Sequence, residues 1–211
     1  VAAQLLARAQ ERAPIAQQRA LEVERLAALG AETLNAGRAE DALRGIAEVI
    51  RTTLEVECCE LLAARGGTGD LEVLARAGRG REEDGDDLPW GLDTWVSQKH
   101  AAAAERPDGT KWIGTREASD GLLRWPPEHM ELRTLYVPLM VRDRPVGVLR
   151  MSHDAPFSLD PAREQFLSAL SYYAALGVER LRLTADAERA EAFRQADALK
   201  SAVIAGVSHD L

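Results

Sequence analysis

The sequence predicts an α+β fold: an antiparallel sheet with helices packed on it, flanked by long N- and C-terminal helices that form a dimeric helical bundle or coiled coil. Three observations predict it. Two pairs of short apolar segments are each joined by a turn signal, the pattern of β-hairpins. An amphipathic stretch with a wide apolar face precedes the first pair, as expected of a helix laid on a sheet. After Pro161 the chain runs for some 50 residues with no proline or other strong breaker.

From Val1 to about Ala36 the chain is rich in Ala, Leu, Glu, Gln and Arg, all strong helix formers. Val23, Leu26, Leu29 and Thr33 share one helix face, and Pro14 should kink or restart the helix. So narrow a stripe suits a partner helix better than a deep core. Asn35-Ala36-Gly37 reads as a C-cap or turn. A second helix is expected over about Ala39 to Leu54, with Ala42, Leu43, Ile46, Val49, Ile50 and Leu54 on its apolar face.

Cys58 to Ala64 is short and apolar, Gly66 to Asp70 is a turn, and Leu71 to Ala77 alternates, which together make the first hairpin. The polar stretch Gly78 to Pro89 holds an acidic cluster, Glu82-Glu83-Asp84-Gly85-Asp86-Asp87. Carboxylates suit hard cations, but this spacing matches no calcium loop; the cluster reads as a solvated loop, and no metal is assigned. A short helix is expected within Trp90 to Ala104, then an irregular loop from Arg106 to Trp125. Thr134 to Val141, a turn at Arg142-Asp143-Arg144, and Val146 to Met151 form the second hairpin, with Pro138 implying an edge or bulge position.

Ser158 or Asp160 caps the final helix and Pro161 sits in its first turn. At 1.5 Å per residue that helix would reach roughly 75 Å, too long to be internal to a domain of this size. Its stripe is apolar through Leu167, Leu170, Ala174, Gly177 and Leu181, polar over Thr184 to Asp197, and apolar again at Leu199, Val203, Ile204 and Val207. A core-packed segment, a connector and a new bundle helix account for that order.

The chain has 211 residues and a formal net charge of -8, with no basic cluster interleaved with aromatics, so nucleic acid is not an expected partner. Cys58 and Cys59 are its only cysteines. Adjacent strand residues point to opposite faces, so an intrachain bridge would be strained, and the pair reads as buried thiols in a reducing, cytoplasmic setting. No apolar run approaches the roughly 20 residues that span a bilayer, so the chain is expected to be soluble. It opens at Val1 without Met and ends inside a helical pattern, which suggests a longer parent protein.

Leu135-Tyr136-Val137-Pro138-Leu139, then Pro145-Val146-Gly147-Val148-Leu149 and Phe157-Ser158, resemble the strand pair and helix start of GAF sensory domains. The resemblance covers about Ala31 to Leu183. It divides the chain into an N-terminal signalling helix (1–36), a GAF domain (37–183), and a coiled-coil linker leading into a phospho-acceptor helix (184–211). PAS domains share the sheet topology. The last segment, Ala198-Leu199-Lys200-Ser201-Ala202-Val203-Ile204-Ala205-Gly206-Val207-Ser208-His209-Asp210-Leu211, resembles the start of the dimerisation and phospho-acceptor helix of sensor histidine kinases. The combination is similar to the potassium-responsive (Kdp-type) sensor kinases, in which the GAF domain follows a membrane segment; by analogy Val1 would lie just inside the membrane of an anchored parent.

That resemblance implies an ATP-dependent autophosphorylation of His209, with Asp210 holding the ring tautomer or accepting its proton. It implies a parallel homodimer and a response regulator as partners. ATP and Mg would be bound by a further domain of the parent, since these residues contain no glycine-rich phosphate loop and so are not catalytic alone. A Ser-His-Asp triad is excluded, because three consecutive helical residues point about 100° apart. The tripeptide also occurs at Ser152-His153-Asp154, at a strand end where the kinase pattern is missing. The resemblance further implies a small-molecule pocket between the sheet and the segment from Trp90 to Met130, with Trp95, Trp112, His129, Tyr136 and Met151 as candidate lining residues and an unspecified ligand. The other reading is a stand-alone GAF-type small-molecule-binding dimerisation module without kinase activity.

Overall fold

The computed structural model describes residues 39–64, 71–79, 91–115 and 123–209. The expected N-terminal helix, the acidic cluster at Glu82 to Asp87, and Asp210 lie outside them. Helix α1 (Ala39–Leu54) opens with Glu40 and Asp41 and closes with Arg51, charges that suit the two ends of its dipole. Its apolar residues recur every three to four positions, and Ala42, Leu43, Ile46, Ala47, Ile50 and Leu54 are buried. Burial of each large aliphatic side chain contributes about 1.5–3 kcal/mol. The helix stops at Glu55, whose φ of 56° is left-handed, while the Val56 N–H donates to the Arg51 carbonyl at 3.0 Å.

Six strands follow, broken by one short helix: β1 (Cys58–Ala64), β2 (Leu71–Gly78), α2 (Leu92–Lys99), β3 (Ala103–Glu105), β4 (Lys111–Ile113), β5 (Leu132–Val141) and β6 (Arg144–Phe157). They form one sheet in the order β2-β1-β6-β5-β3-β4, with every pairing antiparallel. Both expected hairpins are present. The stretch from Arg106 to Trp125 is not wholly irregular, since β4 returns along β3 through a tight turn. In that turn Asp108 Oδ1 accepts from the Thr110 amide at 2.9 Å and from its hydroxyl at 2.6 Å, and Gly109 takes a φ of 79°. A three-residue strand has no periodicity to read, which hides it in the sequence.

Strand β5 is covered by β6 along its length but by β3 only over Thr134–Tyr136. Pro138 thus sits where the β3 side of β5 is open, the edge position expected of a residue without an N–H. Strand β6 outruns the predicted one: Leu132 pairs with Phe157 and Thr134 with Ser152, so His153 to Pro156 bulge opposite Arg133. His153 Nδ1 accepts from the Ala155 amide at 2.8 Å and shapes that bulge, a local structural task for the first Ser-His-Asp copy.

Helix α3 (Pro161–His209) is 49 residues long, about 74 Å. Asp160 is its cap, accepting from the Arg163 amide at 2.8 Å. Phe166, Leu167, Leu170, Ala174, Ala175 and Val178 are buried against α1 and the sheet, and from Arg182 onward the described side chains are almost all exposed.

Gly147, in the Val-Gly-Val-Leu stretch, explains the close approach of β6 to β1. A Cβ there would stand 2.2 Å from the Leu62 carbonyl oxygen, a backbone atom that cannot rotate away. Gly147→Ala is expected to lower unfolding stability by about 2–3 kcal/mol, read as a shift of the urea midpoint at constant m-value; a change below about 0.5 kcal/mol would mean that the strands separate freely.

Candidate functional site

Strand alternation assigns the two faces of the sheet. On one face the register aligns Ala77, Cys59, Met151, Leu135, Ala104 and Trp112 in a single row across all six strands. These residues belong to, or pack against, the main core that α1 and α3 cover. The next row, on the opposite face, runs Arg76, Glu60, Arg150, Tyr136, Ala103 and Ile113. Helix α2 packs over that face, where Leu92, Val96, Ala103, Tyr136 and Val148 form a second cluster with Trp95 and Leu71 against it.

Glu60 is the centre of the second row. Only 3% exposed, it accepts from Arg76 Nε at 2.5 Å through one carboxylate oxygen and from Arg150 Nε at 2.6 Å through the other. Arg150, its side chain 15% exposed, also lies 4.0 Å from Asp93 in the first turn of α2. Burial pulls the Arg150 pKa down, but the Glu60 hydrogen bond and charge, with Tyr136 and Asp93, outweigh that and hold it above its usual value. The guanidinium is a permanent cation inside the α2 face. Two charges of each sign meet there, joined to aromatic and aliphatic surface, which is the mixed lining that small-molecule sites use.

Of the five residues proposed for a pocket, Trp95 and Tyr136 meet in the α2-side cluster. Met151 and Trp112 belong to the helix-covered face, because each is next in chain to a residue of the α2-side row. His129 is exposed, in the segment before β5. The sequence reading passed over Glu60, Arg76, Asp93 and Arg150. A lone Glu inside the run Cys58 to Ala64 was the available signal, since a buried carboxylate requires a cation on a neighbouring strand.

Cys58 and Cys59 are both buried and free. Burial, then the Glu60 charge, pushes the Cys58 thiol up to about 11, partly offset by Arg76, Arg150 and Arg51. Burial also raises the Cys59 thiol well above its usual value, aided by Cys58 and Glu60. Neither supplies an appreciable thiolate at neutral pH. Among the described residues no cluster of His, Cys, Asp and Glu could hold a metal ion, and no helix is long and apolar enough to cross a membrane. The backbone of α3 continues to His209, whose side chain, like Asp210, is outside what the structure describes.

The six-stranded antiparallel sheet with helices on one face and a short helix over the other is a GAF-like α+β architecture. The family model described as GAF domain matches residues 38–180, and the chain belongs to that family. The fold is similar to the GAF domain of a candidate sensor histidine kinase from Pseudomonas syringae pv. tomato, at 19% identity and a TM-score of 0.55, covering 85% of this chain and 99% of that one. It is also similar to the GAF domain of the Acinetobacter phosphoenolpyruvate-protein phosphotransferase, at 19% identity and a TM-score of 0.54, covering 76% and 92%. A third likeness is to the phycoerythrobilin-bound GAF domain of a cyanobacterial phytochrome, at 11% identity and a TM-score of 0.58, covering 78% and 98%. No curated protein matches the chain.

Removing the Glu60 charge takes from the buried Arg150 the carboxylate it meets at 2.6 Å, a shorter ion pair than the one with Asp93. Glu60→Gln is therefore expected to cost about 3 kcal/mol in urea unfolding, and Arg150→Met added to it should recover part of that loss. A cost under about 1 kcal/mol would place the cluster with solvated surface pairs instead.

Proposed function

We propose that this chain is the sensory input and signal-transmission region of a two-component sensor histidine kinase, similar to the Kdp-type kinases, with His209 as the phosphorylated residue. One observation carries the reading: a single uninterrupted helix runs from the buried Phe166, Leu167 and Leu170 in the GAF core to the Ser-His-Asp-Leu box. A helix with one end fixed in a sensory core and the other bearing a nucleophile is a direct mechanical link between the two.

In the chemistry this implies, an imidazole nitrogen of His209 attacks the γ-phosphorus of ATP, a P–N bond forms, the bond to the β-phosphate oxygen breaks, and ADP leaves. Asp210 takes the ring proton or holds the reactive tautomer. Phosphoryl transfer of this kind depends on positioning and on neutralising charge, which a nucleotide-binding domain and its Mg would supply. A response regulator then takes the phosphoryl group. The input is a small molecule on the α2 face, beside Trp95, Tyr136 and the Glu60–Arg150 pair.

The exposed part of α3 supports a parallel homodimer. The exposed Leu183 and Ala190 continue a seven-residue spacing from the half-buried Leu176, with Phe193 three further on and 76% exposed. A seven-residue apolar repeat on a solvent-facing helix is a coiled-coil seam. The chain should elute as a dimer at micromolar concentration, and Phe193→Glu should shift it toward monomer; a monomeric wild type would refute the seam.

The second reading, a stand-alone binding and dimerisation module, draws on the likeness to a GAF domain from a phosphotransferase, which shows that the fold also occurs outside kinases. Incubation with ATP labelled at the γ-phosphate separates the two. The parent protein should become labelled in an acid-labile, alkali-stable form that vanishes in His209→Gln; label retained by that variant would exclude His209.

A further inference from the structure

A cavity lies away from the α2-side cluster, at the open edge of β5, with a volume of about 190 Å³. It forms where β3 stops short. Val137, Pro138 and Met140 of β5 make one wall, Leu123 and Trp125 another, and Tyr172 of α3 a third. Its polar groups, Ser168, Ser171, Arg142, His100 and the Tyr172 hydroxyl, are unevenly placed. Ser171, on α3, is 7% exposed, and its hydroxyl has no hydrogen-bond partner. A buried hydroxyl without a partner is costly in a native fold, and one that borders a cavity is satisfied by whatever enters it. At the other extreme Arg142 is exposed in the β5–β6 turn and enters no ion pair among the described residues. His100, the αL cap of α2, completes the lining.

Arg142 and His100 are two of only three described non-glycine residues at positive φ, each at 56°. The fold holds both in a backbone conformation that a glycine would adopt without strain.

We propose that this cavity binds a hydroxylated single-ring aromatic carboxylate. Size sets the first limit: a cavity of about 150 Å³ lined by aliphatic and aromatic groups accepts benzene, so this one holds one ring with small substituents. The apolar walls, with Trp125, Tyr172 and the Met140 thioether, take the ring. Ser171 at the buried end pairs with the ring hydroxyl, and Arg142 at the exposed end takes the carboxylate. The site grips α3 directly through Ser171 and Tyr172, so its occupancy bears on the long helix. It does not depend on whether His209 is phosphorylated.

The test is a titration of the 211-residue chain with 4-hydroxybenzoate, followed by ¹H–¹⁵N correlation spectra. Shifts are expected at Trp125, Ser171 and Tyr172, saturating with a Kd on the order of 1 mM or below. Benzoate, lacking the hydroxyl, should bind roughly threefold to tenfold more weakly, and Ser171→Ala should erase that difference. Arg142→Gln, a surface change that leaves the core intact, should remove the preference for 4-hydroxybenzoate over phenol. Three results would each overturn the proposal: no shift at these residues up to about 20 mM, shifts confined to Trp95 and Tyr136 on the α2 face, or binding that neither substitution alters.

Discussion

The register of β1 against both of its neighbours depends on one carboxylate. Glu60 is the direct cross-strand partner of Arg76 on β2 and of Arg150 on β6, and it bonds to both. Slipping β1 by one residue against either neighbour would turn Glu60 into the aliphatic core beneath α1 and α3, leaving two arginines without their shared anion. Strand slippage moves every side chain to the wrong face, and here the penalty includes an unpaired buried charge. An apolar residue at position 60 would give more burial energy and less specificity, since Cys59, Leu61 and Leu62 offer little to distinguish one register from the next. The charge cluster thus trades stability for a unique alignment, a role documented for some buried polar groups and consistent with this geometry.

That alignment determines what each face of the sheet can do. The helix-covered face carries Met151, Leu135, Leu149 and Leu139, all fully buried, and serves as the platform on which α3 sits. The α2 face carries the charges and the aromatic groups Tyr136 and Trp95. Because successive residues of β5 and β6 alternate between the two, a displacement of Arg150 or Tyr136 is passed through the strand to Met151 and Leu135, and so to α3. A sheet only one residue thick is a short path between the α2 face and α3.

The sequence was most informative where periodicity was long. Helix α1 with its buried residues, both hairpins, and the start of α3 at Asp160-Pro161 were all legible from spacing and capping chemistry. The shorter pieces were not: β3 and β4 have three residues each, and the Asp108–Thr110 turn that joins them carries the only local signal. For the candidate site, residue type was a poor guide and parity a better one. Tyr136 and Met151 suggest a common pocket by chemistry, yet Met151 stands opposite Leu135, one residue away from Tyr136, and must face the other way. The Glu60 cluster required knowing that β1 lies between β2 and β6, an order that follows from long-range pairing and from no local pattern.

The position of α3 is fixed on two sides of a single turn. Arg144, at the start of β6, pairs with Glu179 on the helix, and Arg142, two residues earlier, borders the cavity that Ser171 and Tyr172 enclose. Within the helix Glu179 also accepts from Arg182 at 3.3 Å. Toward its N-terminus the helix is held by deep aliphatic packing, which does not deform gradually. At Glu179 it is tied to the β5–β6 turn by one ion pair, with the half-exposed Arg144, and such partly solvated pairs are individually weak. A force arriving through the β5–β6 turn therefore meets its least resistance at the point where α3 leaves the domain. The segment most readily redirected is the one that leads to His209.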